Sequence, residues 1–269
     1  MQYDPIKRSL GRVFNQSPFL RKIFYRLLDL LLLRAWHVRK ELRKLSAGQT
    51  AVILDAGSGF GQYTYRMSRM FPDSVILAVD VKEEQIAQCN DFFRQTGLDS
   101  RVHFQVEDLT AFVRPQQFTL ILSVDVMEHI EADVQVFVNF YRSLKEGGVL
   151  VISTPSDKGG SDVHDHGEGA HGFIEEHVRD GYNIGDIEAK LKSAGFSKVE
   201  ARYSYGTPGA ISWRLTMKYP ILLLGVSKLF FVLLPFYYLL VYPLAALLNY
   251  MDVKGRHVSG TGLIVKAYK

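Results

Sequence analysis

An open α/β sheet, mostly parallel and covered by helices on both faces, is the fold class that this 269-residue chain predicts. Three observations carry the prediction. Short β-branched apolar runs alternate with amphipathic stretches of about 10–15 residues, the pattern of repeated strand–helix–strand units. The first run, Val52-Ile53-Leu54-Asp55, ends on an acid and opens into the glycine-spaced turn Ala56-Gly57-Ser58-Gly59-Phe60-Gly61. The second run ends on another acid, Asp80.

The elements follow in order. Ala51–Asp55 reads as a buried strand and Phe60–Phe71 as a helix. Val75–Val81 is a strand, and Glu83–Thr96 a helix closed by Gly97. Val102–Val106 and Phe118–Val124 are strands; Ala132–Lys145 is a helix stopped by Gly147-Gly148, which feed the strand Val149–Thr154. Ile184–Ala194 is a helix ended by Gly195, followed by a strand near Lys198–Tyr203, and Gly262–Tyr268 is a last strand. Right-handed crossovers place the helices on the sheet faces, and ligands in such sheets bind beyond the carboxyl ends of the strands.

Two segments fall outside the alternation, so the chain divides into a basic leader (1–47), a ligand-binding domain (48–218 and 256–269) and an apolar helical insertion (219–255). Residues 1–45 hold 11 Lys/Arg against Asp4, Asp29 and Glu41, a net +8 within an overall +4. A basic leader on an acidic body points to an anionic partner. Leu27–Leu33 is interrupted by Asp29 and flanked by arginines, which excludes a secretory signal. The lone Cys89 precludes an intrachain disulfide and fits a reducing compartment. Leu229–Leu248 runs 20 residues without a charge, interrupted only by Pro235 and Pro243, long enough to span a bilayer.

Gly57, Gly59 and Gly61 make a G-x-G-x-G turn, whereas a dinucleotide fingerprint needs its last glycine where Gln62 stands. The loop therefore favours a ligand with no pyrophosphate. Asp55 suits a cationic ligand better than a phosphate, and the Asp80 carboxylate can accept both hydrogen bonds of a ribose diol.

These residues resemble those of the class I S-adenosylmethionine (SAM)-dependent methyltransferases over about residues 48–205 and the last strand. Leu54–Gly61 resembles the first family motif, with Asp55, Gly57, Ser58, Gly59 and Gly61 against the cofactor, and Asp80, followed by Val81, resembles the ribose-binding acid. Glu107-Asp108-Leu109 resembles the adenine-side motif, which implies that Asp108 reaches the exocyclic amine. Phe118–Ile130 resembles the fourth-strand motif, with Ser123, Val124 and Asp125 along the methionine part. The resemblance implies SAM as cofactor and a Rossmann-like seven-stranded sheet whose last strand is antiparallel and inserted beside the sixth. The step Met127-Glu128-His129 is similar, over a short stretch, to quinone-biosynthesis O-methyltransferases. Each residue also has a plainer reading: a structural turn for the glycines, a helix cap for Asp80 or Asp108, and a packed histidine for His129.

Residues 164–177 hold four of the eight histidines. The H-x-H pair fits no standard zinc spacing and lacks a partner cysteine, so no metal is expected. The segment follows strand five and reads as a glycine-rich lid over the acceptor, with His166 or His171, together with His129, as proton acceptors.

The apolar insertion lies between two strands expected to pair, so it must return to the side it left. Pro235 and Pro243 allow breaks, and the expectation is a re-entrant or in-plane helical hairpin with Tyr237, Tyr238, Tyr242 and Tyr250 at headgroup depth. In the leader, Phe19, Ile23, Phe24, Leu27, Leu28, Leu31 and Leu32 recur at helical spacing among arginines and lysines, an amphipathic helix suited to an anionic surface. Its leucine content excludes a nucleic-acid-binding arm. The expectation is a peripheral or monotopic enzyme on the cytoplasmic face of a membrane, acting on a hydrophobic or lipid acceptor. The alternatives are a soluble enzyme whose apolar segments form a homodimer, and a non-catalytic SAM-binding protein.

Overall fold

The computed structural model describes residues 17–45, 51–159, 178–227 and 229–269. Seven strands form one sheet among the described residues: β1 (Val52–Ala56), β2 (Val75–Asp80), β3 (Val102–Val106), β4 (Phe118–Val124), β5 (Leu144–Pro155), β6 (Lys198–Ser204) and β7 (Gly262–Tyr268). Their order is β3-β2-β1-β4-β5-β7-β6. The first five strands pair in parallel, and β7 runs antiparallel between β5 and β6. This is the Rossmann-like arrangement with a reversed last strand that the sequence led us to expect.

The leader forms helices α1 (Pro18–Leu31) and α2 (Leu33–Leu45); α3 (Gln62–Met70), α4 (Glu83–Gln95), α5 (Asp133–Ser143) and α6 (Ile184–Ser193) are the crossovers. The strands are apolar on both faces because each face is covered. One face packs against Val136, Phe137 and Phe140 of α5 and Ile187 and Leu191 of α6. The other packs against Val38 and Leu42 of α2, Met67 of α3 and Phe92 and Phe93 of α4. The leader is thus part of the core. Helix α5 ends two residues before the expected Lys145, since Leu144 already pairs with Phe118 and the strand begins there.

The insertion is an antiparallel helical hairpin. Helix α7 (Thr207–Trp213), a π-turn (Arg214–Lys218) and α8 (Tyr219–Val226) run outward, and α9 (Phe230–Lys254) returns to β7. The expected break at the prolines does not occur: Pro235 and Pro243 lie within one continuous α9, and the chain reverses at Ser227, which is extended and caps Leu229. Prolines matter instead on the outgoing arm. Pro220 has no N–H for the Thr216 carbonyl, and the π-turn diverts the Tyr219 N–H to Arg214. Tyr238 and Tyr237 hydroxyls donate to the carbonyls so released, on Thr216 and Leu215, each at 2.7 Å. Those two tyrosines, expected at a membrane interface, are therefore committed to holding the hairpin.

Candidate active site

Beyond the carboxyl end of β1, Gly57, Gly59 and Gly61 all take positive φ. At Gly57 a Cβ would also fall 2.2 Å from Val126, so only glycine fits. At Gly59 the corresponding space is open, with Gln85 nearest at 3.8 Å. The loop is held from three sides. Gly57 and Ser58 N–H both donate to the Val79 carbonyl, and Gly59 N–H donates to Asp80 Oδ2 at 2.8 Å. Asp80 Oδ1 accepts the Lys82 N–H. A carboxylate offers about four lone-pair positions, so Asp80 keeps capacity for a ligand hydroxyl; Val81 beside it is exposed.

Asp55 is buried and accepts the Thr64 hydroxyl of α3. Burial, against that hydrogen bond and reinforced by Asp80, pushes its carboxyl up to about 7. Asp108, at the end of β3, is exposed and accepts the Thr110 N–H, a turn-capping contact; Glu107 pairs with Arg114, and Leu109 is buried. Ser123, at the end of β4, is fully buried.

Helix α1 lies across the loop. Arg21, buried, donates to the Phe60 and Gln88 carbonyls, and Tyr25 Oη also donates to Phe60 O. Arg66 of α3 pairs with Asp29, which also accepts from Gln62. The leader's polar face therefore meets the domain, and its apolar Phe19, Leu27 and Leu30 face outward. Part of the basic charge expected to meet an external anion is used internally.

Beside the loop a second group gathers: Arg34 of α2, Tyr63 of α3, Asp125 after β4, Glu128 and Tyr205. Arg34 pairs with Asp125, and its N–H donates to Tyr205 Oη at 3.0 Å. Asp125 and Tyr205 are two of the three non-glycine residues with positive φ among the described residues, and such strain concentrates at functional sites. Glu128 is 1% exposed and accepts the Thr154 hydroxyl at 3.1 Å. Burial, reinforced by Asp125, pushes its carboxyl up to about 8. His129, the next residue of the same 3-10 turn, is exposed. His166 and His171 lie outside the described residues.

Residues 48–194, over half of the chain, match the family model described as a methyltransferase domain. This chain belongs to that family. Phosphoethanolamine N-methyltransferase 1 of Arabidopsis thaliana is 32% identical over 172 residues, covering 60% of this chain and 31% of that protein. The malonyl-acyl-carrier-protein O-methyltransferase of Bacillus anthracis is 29% identical over 122 residues, covering 45% of this chain and 44% of the other. The chain thus spans less than half the length of either. Among solved structures, phosphoethanolamine N-methyltransferase 2 of Haemonchus contortus in complex with S-adenosyl-L-methionine superposes with a TM-score of 0.59 at 18% identity, covering 99% of this chain and 60% of that one. That likeness is one of fold.

SAM is the cofactor of the methyltransferase domain, and the residues present fit it. The loop leaves open space above Gly59. Ser58 Oγ beside it and Ser123 Oγ on the neighbouring strand are buried hydroxyls with no partner among the described residues, a costly state unless a ligand supplies one. Sequence reasoning pointed to the loop and Asp80 from strand-end motifs and to Ser123 through the family resemblance, and the structure places all three at the carboxyl ends of β1, β2 and β4. It did not single out Arg34, Tyr63 and Tyr205, which lie far apart along the chain, nor Glu128, which the turn directs inward beside the exposed His129.

Proposed function

We propose that this chain transfers a methyl group from SAM to a hydrophobic or lipid-linked acceptor at the cytoplasmic face of a membrane. Bound SAM supplies an electrophilic methyl group on a sulfonium. The protein's part is alignment, which alone accounts for a large share of such rate enhancements. Asp80 would hold the ribose hydroxyls, and Ser58 and Ser123 would satisfy their hydroxyls on the cofactor. An acceptor proton would pass to Glu128, whose carboxyl near 8 suits exchange around neutral pH.

One observation carries the membrane reading. Helix α9 is long and apolar enough to cross a bilayer, yet only 6% of its most apolar stretch is buried in the protein. Phe236, Leu239 and Leu240 are 65%, 74% and 80% exposed and lie on one helix face, an exposed apolar surface of the kind that marks an interaction site. The hairpin returns to its own sheet, which supports lying in one leaflet over crossing the membrane. The names of the relatives add that acceptors of this family include a phosphorylated amine and an acyl carrier.

The triple variant Phe236→Glu, Leu239→Glu, Leu240→Glu tests this reading. The wild type should float with anionic liposomes; the variant should stay in the soluble fraction while keeping its SAM affinity. A variant that still floats, or a wild type that runs in aqueous buffer as a discrete dimer without binding liposomes, would sink the membrane assignment.

A further inference from the structure

Three donor groups along the seam between the leader and α3 lack acceptors. Arg34 Nε, Tyr63 Oη and Arg66 Nε are each buried with no hydrogen-bond partner among the described residues. They belong to one neighbourhood: Tyr63 and Arg66 stand one turn apart on α3, Arg34 is bonded to Asp125 and Tyr205, and Arg34, Asp125, Tyr205 and Arg66 all act on the Tyr63 hydroxyl. Burial, opposed by Arg34, holds that phenol well above its ordinary range, so it remains an O–H donor at any working pH. Both guanidiniums stay charged. Each is pinned through a terminal nitrogen, Arg34 by Asp125 and Arg66 by Asp29, which leaves the Nε edges for something else. Arg39 adds a further positive charge near Arg66. Arg34, Arg66 and Arg39 thus face the carboxylates of Asp125 and Asp29, with Glu128 also acting on Arg34. The two strained residues, Asp125 and Tyr205, border the seam.

Unpaired buried donors are costly, and a neutral alcohol or ring would satisfy at most one of them. A group with several anionic oxygens would satisfy all three. We propose that Arg34, Tyr63 and Arg66 form a phosphate subsite that holds the methyl acceptor, so that the acceptor is a phosphate-bearing molecule whose methylated atom lies toward the glycine loop. This rests on the methyltransferase reading above. The site lies where α2 meets the hairpin: Arg34 bonds Tyr205, and the next turn of α2 bonds α9 through His37 and Asp252. A headgroup presented from a lipid surface would reach it there. The shared chemistry is the phosphate, whether it comes from a phospholipid headgroup or a free phosphomonoester.

Calorimetry on the full chain with SAM present separates the sources. The probes are O-phosphoethanolamine and monomeric dihexanoyl-phosphatidylethanolamine, titrated into wild type, Arg34→Gln and Tyr63→Phe. Tyr63→Phe removes a hydroxyl that bonds nothing among the described residues, so its fold should be intact. Loss of a hydrogen bond to a charged group should weaken phosphate binding about ten-fold, with SAM affinity unchanged. Tighter binding of the lipid than of the free ester, lost in both variants, assigns the lipid headgroup. Equal binding lost in both variants assigns the free phosphomonoester. Binding of neither probe, or binding that Tyr63→Phe leaves intact, overturns the subsite. A wild type that fails to bind SAM would instead overturn the methyltransferase reading, independently of the phosphate arms.

Discussion

At the scale of single residues, two carboxyl groups are held in opposite ways. Asp80 is bonded by two backbone N–H groups and stays at the loop surface, partly exposed. Glu128 is enclosed, with one hydroxyl donor and a neighbouring carboxylate. Its carboxyl near 8 compares with about 4.3 in an unfolded chain. The folded state therefore binds a proton more tightly between these values, so Glu128 contributes stability that is full below about 4 and is lost as pH rises toward 8. The ceiling for one proton is about 1.4 kcal/mol per pH unit. Glu128→Gln keeps the shape of the protonated acid, so its melting temperature should vary less between pH 5 and 8 than that of the wild type. Equal slopes in the two proteins would place the carboxyl's titration elsewhere. Sequence alone does not separate Glu128 from His129: in a 3-10 turn, adjacent side chains diverge, and only packing decides that Glu128 turns inward while His129 stays exposed.

At the scale of elements, the hairpin and leader are joined by one buried polar junction. Asp252 of α9 is fully buried, accepts from His37 of α2 at 2.8 Å and receives the Tyr205 and Gly209 N–H groups. A single side chain thus ties α9, α2, the end of β6 and the start of α7. Removing Asp252 leaves the His37, Tyr205 and Gly209 donors unsatisfied in the interior, at about 1–3 kcal/mol for a stranded buried group. Asp252→Ala should lower the denaturant midpoint accordingly; a loss below about 1 kcal/mol would show the junction to be dispensable. Little of this was legible from sequence. His37 looked like one more polar residue on a basic helix, and Asp252 is 215 residues away along the chain. The hairpin itself was foreseeable, because β6 and β7 had to pair, but not the place of its turn. Proline disfavours helix interiors, yet an apolar helix with few competing interactions absorbs Pro235 and Pro243, while Ser227 reverses the chain.

Across the whole molecule, the cofactor loop links the parts: β1 and β2 form its base, and α1 closes over it through Arg21 and Tyr25. A ligand there should stabilise the entire fold. SAM at a hundred-fold excess over its Kd should add about 2.7 kcal/mol, a rise in Tm of roughly 5–10 °C for a domain of this size. Asp80→Ala should abolish the rise in differential scanning calorimetry. A variant that keeps the full rise would remove Asp80 from the ribose contact.

The strand–helix alternation, the loop with Asp80 beside it and the apolar insertion were all determined by local sequence, because each depends on hydrophobic period, on glycine's access to positive φ, or on a residue's place at a strand end. The reversed position of β7 came from family resemblance, not from any local pattern. Tertiary structure alone decided that the basic leader is built into the core, that Glu128 and not His129 is enclosed, and that Arg34, Tyr63, Asp125 and Tyr205 share one neighbourhood. Those outcomes depend on which distant surfaces must cover one another, a condition that no window of sequence contains.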